Sequence, residues 1–280
     1  AQTDFGATRC RSGCAPLVPK KRGVQVRARH AVPPPTTTML QRLINAVFRL
    51  LITAALLIVT VTLALALVHL PVNWRENGTV LPLAIGFCGG LAFFFLISRF
   101  LALYVFGHEL THFLVAKLFR RQTGSFRIGT ASGSVAVERP NIWITLAPYF
   151  VPVYTIIWIG LYGLADFFWK DSPAWMPQLF AAGIGVTYAF HVRLTLYALA
   201  RQQTDLERYG KPLSLSFICF CNVLLLFLGV LTATGEWGQG MRTIQNTATR
   251  EWRIARRGAD VTWTGLKRGK ETFDQLIGGE

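Results

Sequence analysis

Apolar residues along this chain fall in long runs separated by short polar and basic stretches. From about residue 50 to 70 no charge interrupts the sequence, and ~20 apolar residues are what a helix needs to cross a bilayer core. This run is not a signal-peptide core, which would be shorter and followed by a small-residue cleavage site. A polar loop at 73–78 follows. The second apolar stretch runs from 80 to 119, too long for one straight crossing at about 1.5 Å per residue. Gly86, Gly89 and Gly90, or Arg99, mark the places for a break or a strong tilt. Three further spans are expected at about 142–164, 175–200 and 213–233.

Between the second and third spans the period changes. Ser125-Phe126-Arg127-Ile128 and Ser134-Val135-Ala136-Val137 alternate as short strands do, with Gly129 to Gly133 joining them. This pattern predicts a β-hairpin at the membrane surface, or dipping in where protein shields its backbone. The expected fold is an all-α polytopic membrane protein with about five transmembrane helices and a small membrane-associated β-hairpin.

Composition agrees with lipid as the solvent. The 280 residues are 52% hydrophobic and 15% charged, against about 25% charged in soluble domains. The net charge of +15 is spread unevenly: residues 1–38 hold seven Lys and Arg against Asp4. Strong basicity can signal nucleic-acid binding. Here the charges flank apolar segments, where anionic lipid headgroups and membrane orientation account for them, and no nucleic-acid partner is expected.

Three regions follow. Residues 1–38 form a basic segment ending in Pro33-Pro34-Pro35 and three threonines, with too little apolar content to fold. It resembles an organelle transit peptide, or else the natural protein starts at Met39; both readings stand. Residues 39–234 form the membrane core, and 235–280 a polar tail, partly helical and surface-bound. Of five cysteines, Cys88, Cys219 and Cys221 lie in apolar runs as packed residues. Cys10 and Cys14 pair or join His30 on a metal, but no second pair completes a framework.

Basic loops set orientation. Arg42 and Arg49, then Arg120, Arg121 and Arg127, then Arg201, Arg208 and Lys211 fall on one side of a five-span chain. That side is cytoplasmic, or matrix or stromal in an organelle. The basic tail lies opposite and conflicts with this, although a distal tail counts less than a short loop.

One motif carries chemistry. His108-Glu109-Leu110-Thr111-His112 places two imidazoles four residues apart, on one face of a helix, where both can bind one zinc. Glu109 beside them can take a proton from metal-bound water and pass it to a leaving amine. The chain has five histidines in all, so chance pairing at this spacing is a poor explanation. Ionisable groups within a span are costly and usually functional.

Residues 108–119, followed by Ser125-Phe126-Arg127-Ile128-Gly129, resemble the site-2-protease-like intramembrane zinc metalloproteases. In that family the first core helix carries HExxH, a membrane-associated β element follows, and two further core helices complete the fold. The resemblance covers roughly residues 105–130. It implies zinc-dependent hydrolysis of peptide bonds in membrane-protein or peptide substrates near or within the bilayer, with the active site towards the cytoplasmic side. The family's third ligand is an Asp in a Leu-Asp-Gly or Asn-Pro-Asp-Gly setting, and neither motif occurs here.

Two third ligands remain. His191 lies ten residues before Arg201 and His108 twelve before Arg120, which puts both about 15–18 Å from the same boundary. Depth therefore leans towards His191. Its plainer role is helix packing, with Asn222 as a partner. Asp205 has the family's ligand type but stands at or past the end of its span, and needs a re-entrant turn to arrive. Its plainer role is a loop acid paired with Arg201 or Arg208. The losing residue can still orient a ligand.

Arg99 and Arg193 are intramembrane charges able to steady an oxyanion or pair with a carboxylate, or else to snorkel. Asn141 and Asn222 can bind a substrate backbone, or else pack between helices. The hairpin's open edge can take an unfolded substrate as an added strand.

The expected function is that of a zinc-dependent intramembrane endopeptidase, with Glu109 as the general base. Its home is a bacterial inner membrane first and an organelle membrane second. A different class competes: an inactive membrane scaffold that binds other membrane proteins. A metal transporter is the third reading, weakened because one site is not a path.

Overall fold

The computed structural model describes residues 38–71, 78–97, 100–129, 133–169, 173–200 and 204–277. The expectations on 1–37, with Cys10, Cys14 and His30, and those on Arg99 and Arg201 lie outside these residues. Residues up to Leu43 form a unit separate from Ile44–Glu280. In the first unit Thr38 and Gln41 bond reciprocally through side chain and backbone N–H, a capping box that starts the first helix.

The chain is mostly helical. Helix α1, Met39–Val68, occupies the first apolar run. The second run divides into α2, Val80–Leu96, and α3, Leu101–Leu118, so its break falls beside Arg99 rather than at the glycines. The hairpin follows as β1, Thr123–Ile128, and β2, Gly133–Val137. It is antiparallel, with Arg127 opposite Ser134 and Ile128 opposite Gly133, and is irregular between Thr123 and Phe126. Half-buried Gly133, Val135 and Val137 alternate with exposed Ser134 and Ala136, as a strand with one covered face requires.

The third expected span is broken. Helix α4, Ile142–Leu146, runs into a 3-10 turn, Ala147–Tyr149, and α5, Val153–Phe168, leaves it at a bend of 78°. Pro148 and Pro152 sit at this elbow, where neither can supply the N–H a continuous helix needs. Then come α6, Met176–Leu199, the short α7, Thr204–Tyr209, and α8, Lys211–Thr234. Gly235 closes α8 with φ +73, the left-handed conformation glycine adopts at helix ends. The tail is one long helix, α9, Trp237–Ile277.

Of these helices α1, α6 and α8 are long and apolar enough to cross a membrane, and the bent α4–α5 pair makes four if counted as one span. About five were expected. Helix α2 is apolar but shorter, and α3 gives up apolar length to the charged motif. Large apolar side chains such as Leu57, Ile58, Ile156, Leu161 and Phe167 are exposed, an arrangement suited to lipid rather than water.

Two packing features position the site. Gly86 and Gly90 on α2 face Ala182, Val186 and Ala189 on α6, and Gly185 on α6 faces the α2 backbone at Leu83 and Phe87. A side chain at Gly86 or Gly185 would overlap backbone atoms, so these glycines form a close seam rather than a break. Around the elbow, Leu146, Ala147, Tyr149 and Phe150 pack with Ala198 on α6, Leu206 on α7, and Phe217, Ile218 and Cys221 on α8.

Candidate metal centre

His108 and His112 lie one turn apart on α3, with ring centroids 4.9 Å apart. His112 Nδ1 stands 2.8 Å from the Ile144 carbonyl on α4. A carbonyl only accepts, so Nδ1 carries a hydrogen, and the neutral ring can then present its Nε2 lone pair to a cation. His108 Nε2 and His112 Nε2 lie 3.6 and 3.5 Å from Asp205 Oδ2. Donors at about 2.0–2.2 Å around a tetrahedral ion lie about 3.4 Å from one another. The three ligand atoms, all within 4.8 Å of one another, therefore fit a shared cation better than direct hydrogen bonds, which close to about 2.9 Å.

Asp205 arrives by a short detour. Helix α7 folds back under the elbow, fixed by buried Leu206, by the Ser214 hydroxyl donating to Leu206 O, and by the Tyr209 hydroxyl donating to Pro140 O. The Tyr149 hydroxyl donates to Asp205 Oδ2 at 3.3 Å. Burial pushes the Asp205 carboxyl up, but the facing imidazoles of His108 and His112 outweigh it and hold the carboxyl well below the usual range. An anionic carboxylate between two imidazoles is a ready cation ligand.

His191, favoured by depth, is not part of this cluster. Depth counted along straight helices ignores the elbow, on which α7 docks. His191 is 5% exposed and faces the Tyr188 ring, with Asn222 as its polar neighbour. Its Nε2 has no hydrogen-bond partner among the described residues. With Tyr104, Gly107, His108 and Thr111 it lines a small void of about 20 Å³ behind α3, room for one water.

Glu109, 9% exposed, shares with the three ligands a cavity of about 420 Å³, whose other walls include Ser134 and Val135 of β2, Thr145 of α4, and Arg208 of α7. Gly133 lets the hairpin reach it: a Cβ there would lie 2.6 Å from Glu109 Cγ and 2.8 Å from Val105 Cγ1. Gly107 similarly admits the Tyr154 ring, whose hydroxyl donates to Leu103 O.

The auxiliary polar residues make contacts within the protein. Asn141 caps α4 by accepting from the Ile144 N–H. Asn222 donates to the carbonyls of Tyr149 and Ile218. The Arg193 guanidinium lies over Phe95 at 4.8 Å and Tyr197 at 5.6 Å. The structure also brings Tyr149, Thr145 and Arg208 to the centre; of these the sequence singled out only Arg208, as an ion-pair partner for Asp205, and no such pair forms among the described residues. Thr145 Oγ1 is buried without a partner among the described residues.

No protein-family model, no curated protein and no solved structure matches the chain. The geometry alone assigns the centre: His108, His112 and Asp205 can hold a metal ion.

Proposed function

We propose that the chain is a zinc-dependent endopeptidase of membrane-protein substrates, working within or at the surface of a bilayer. The observation that carries this reading is the convergence of His108, His112 and Asp205 with Glu109 on one cavity wall. A donor set of two imidazoles and one carboxylate on the wall of a cavity suits catalytic zinc. Zinc bound there would lower the pKa of its water to near 7 and polarise a carbonyl.

The chain's own residues supply the rest. Glu109 accepts the proton of the attacking water and returns it to the departing amine. Ile144 fixes the His112 tautomer, and Tyr149 orients Asp205. Thr145 Oγ–H and Arg208 offer donors for the scissile carbonyl as charge develops. The β2 backbone beside the cavity offers main-chain partners to a substrate segment in extended form, which exposes peptide bonds that a helix hides. The home we propose is a bacterial inner membrane, or alternatively an organelle membrane; helices long and apolar enough to cross a bilayer support a membrane setting.

The test compares wild type with Glu109→Gln in proteoliposomes carrying a native membrane-protein fraction, scoring new N-termini by mass spectrometry and zinc by elemental analysis. The variant should keep about one zinc per chain and generate no new termini. Identical termini from both proteins would sink the protease reading and leave the inactive membrane scaffold in its place.

A further inference from the structure

A second cavity, of about 560 Å³, lies far from the metal centre in sequence, between the last turns of α1 and the first half of α9. Its walls include Leu65 of α1, His69 just past its end, and Arg242, Asn246, Arg250 and Ile254 of α9. Arg242, Asn246 and Arg250 recur every fourth residue and so share one helix face. Among the described residues neither guanidinium has a carboxylate in ion-pair range. The wall's one acid, Glu251, accepts a hydrogen bond from the Thr62 hydroxyl. Two guanidinium groups against one carboxylate leave the cavity cationic, and the Asn246 amide adds a neutral donor. His69 Nδ1 donates to Leu65 O at 2.7 Å, so its neutral ring presents only an acceptor at Nε2, and the donors for an anion are Arg242, Arg250 and Asn246.

We infer that this cavity binds the phosphate of an anionic phospholipid headgroup. Guanidinium forks match phosphate oxygens two at a time, and pockets of basic residues at the ends of spanning helices take lipid phosphates. The apolar part of the wall, Leu65 and Ile254, suits the start of an acyl chain. A different arc of α9 exposes Trp252, Trp263 and Leu266, an apolar face with basic flanks of the kind that lies in a membrane interface. Both features set the cavity at headgroup depth. The inference rests on α1 crossing the membrane and is independent of the protease reading.

The test uses the full chain, reconstituted in bilayers of phosphatidylcholine with one quarter phosphatidylglycerol, then extracted in mild detergent for lipid analysis by mass spectrometry. Wild type and Glu109→Gln should retain phosphatidylglycerol several-fold above its bulk share. Arg242→Gln/Arg250→Gln should bring that ratio back to about the bulk share. Arg256→Gln/Arg257→Gln removes equal charge from the same helix outside the cavity, and should leave enrichment unchanged. Unchanged enrichment in the Arg242/Arg250 variant, or an equal fall in the control, would overturn the site. Displacement of the lipid by millimolar inorganic phosphate would overturn the lipid assignment in favour of free phosphate. Helicity and thermal unfolding of both variants check that neither loss reflects misfolding.

Discussion

The Tyr149 hydroxyl donates to Asp205 Oδ2 at 3.3 Å, the same oxygen that faces His108 Nε2 at 3.6 Å and His112 Nε2 at 3.5 Å. Tyr149 is fully buried, and its ring meets the His108 ring edge to face at 5.6 Å. One aromatic side chain thus orients two of the three ligands. Tyr149→Phe keeps the ring and removes the hydroxyl, and should weaken zinc binding ~10- to 100-fold while saturated protein still holds about one ion. Competition against a chelator of known affinity measures this. An unchanged affinity would make Tyr149 a packing residue only.

The third ligand can be tested by loss. Asp205→Ala should purify with little zinc, since two imidazoles on one helix leave the ion half coordinated. His191→Ala should purify with about one zinc, because His191 stands behind α3 rather than at the ligand set. The reverse result in folded protein would return His191 to the metal.

Thr145 carries a more specific expectation. Its hydroxyl is buried, unpartnered among the described residues and on the cavity wall. Thr145→Val should lower kcat ~10²- to 10³-fold, as loss of an oxyanion donor does, with KM and zinc content little changed. Thr145→Ser should keep most of the rate. A Val variant as active as wild type would remove Thr145 from the chemistry.

Gly133 should be sensitive for a steric reason. A branched side chain there must displace Glu109 or push the hairpin away, because the nearest atoms are Glu109 Cγ and Val105 Cγ1. Gly133→Val should therefore cost turnover without costing zinc. Cleavage of a reconstituted substrate, read beside metal content, separates these effects. Equal loss of both would mean that the hairpin supports the whole centre.

Much of this architecture was legible in the sequence because uninterrupted apolar runs and strict alternation are local signals. Helices α1, α6 and α8 and the β1–β2 hairpin fall where those signals put them. The pair His108 and His112 was equally legible, since helical spacing alone sets both rings on one face. The elbow was less so. Pro148 and Pro152 mark it, but an apolar run from 142 to 164 reads as one crossing until the bend is seen. Asp205 depends on that bend: α7 reaches the imidazoles only by docking on Leu146 and Tyr149, a long-range packing event with no local signature. Tyr149 itself looks like any aromatic residue in an apolar stretch. The glycines at 86 and 90 were visible, but whether glycine breaks a helix or lets another approach depends on the neighbour it meets.

That neighbour has a consequence for motion. At Gly86 and Gly185 the α2 and α6 backbones touch with no side chain between them, so neither helix can slide without climbing over the other. The pair is a fixed strut. On the protease reading, entry of a polypeptide to the cavity would then come from yielding of the hairpin, whose β2 lines it, since α7 carries the ligand Asp205. In such a design the three ligands stay still while the hairpin over them gives way, and on that reading the rate of admission belongs to the covering rather than to the frame.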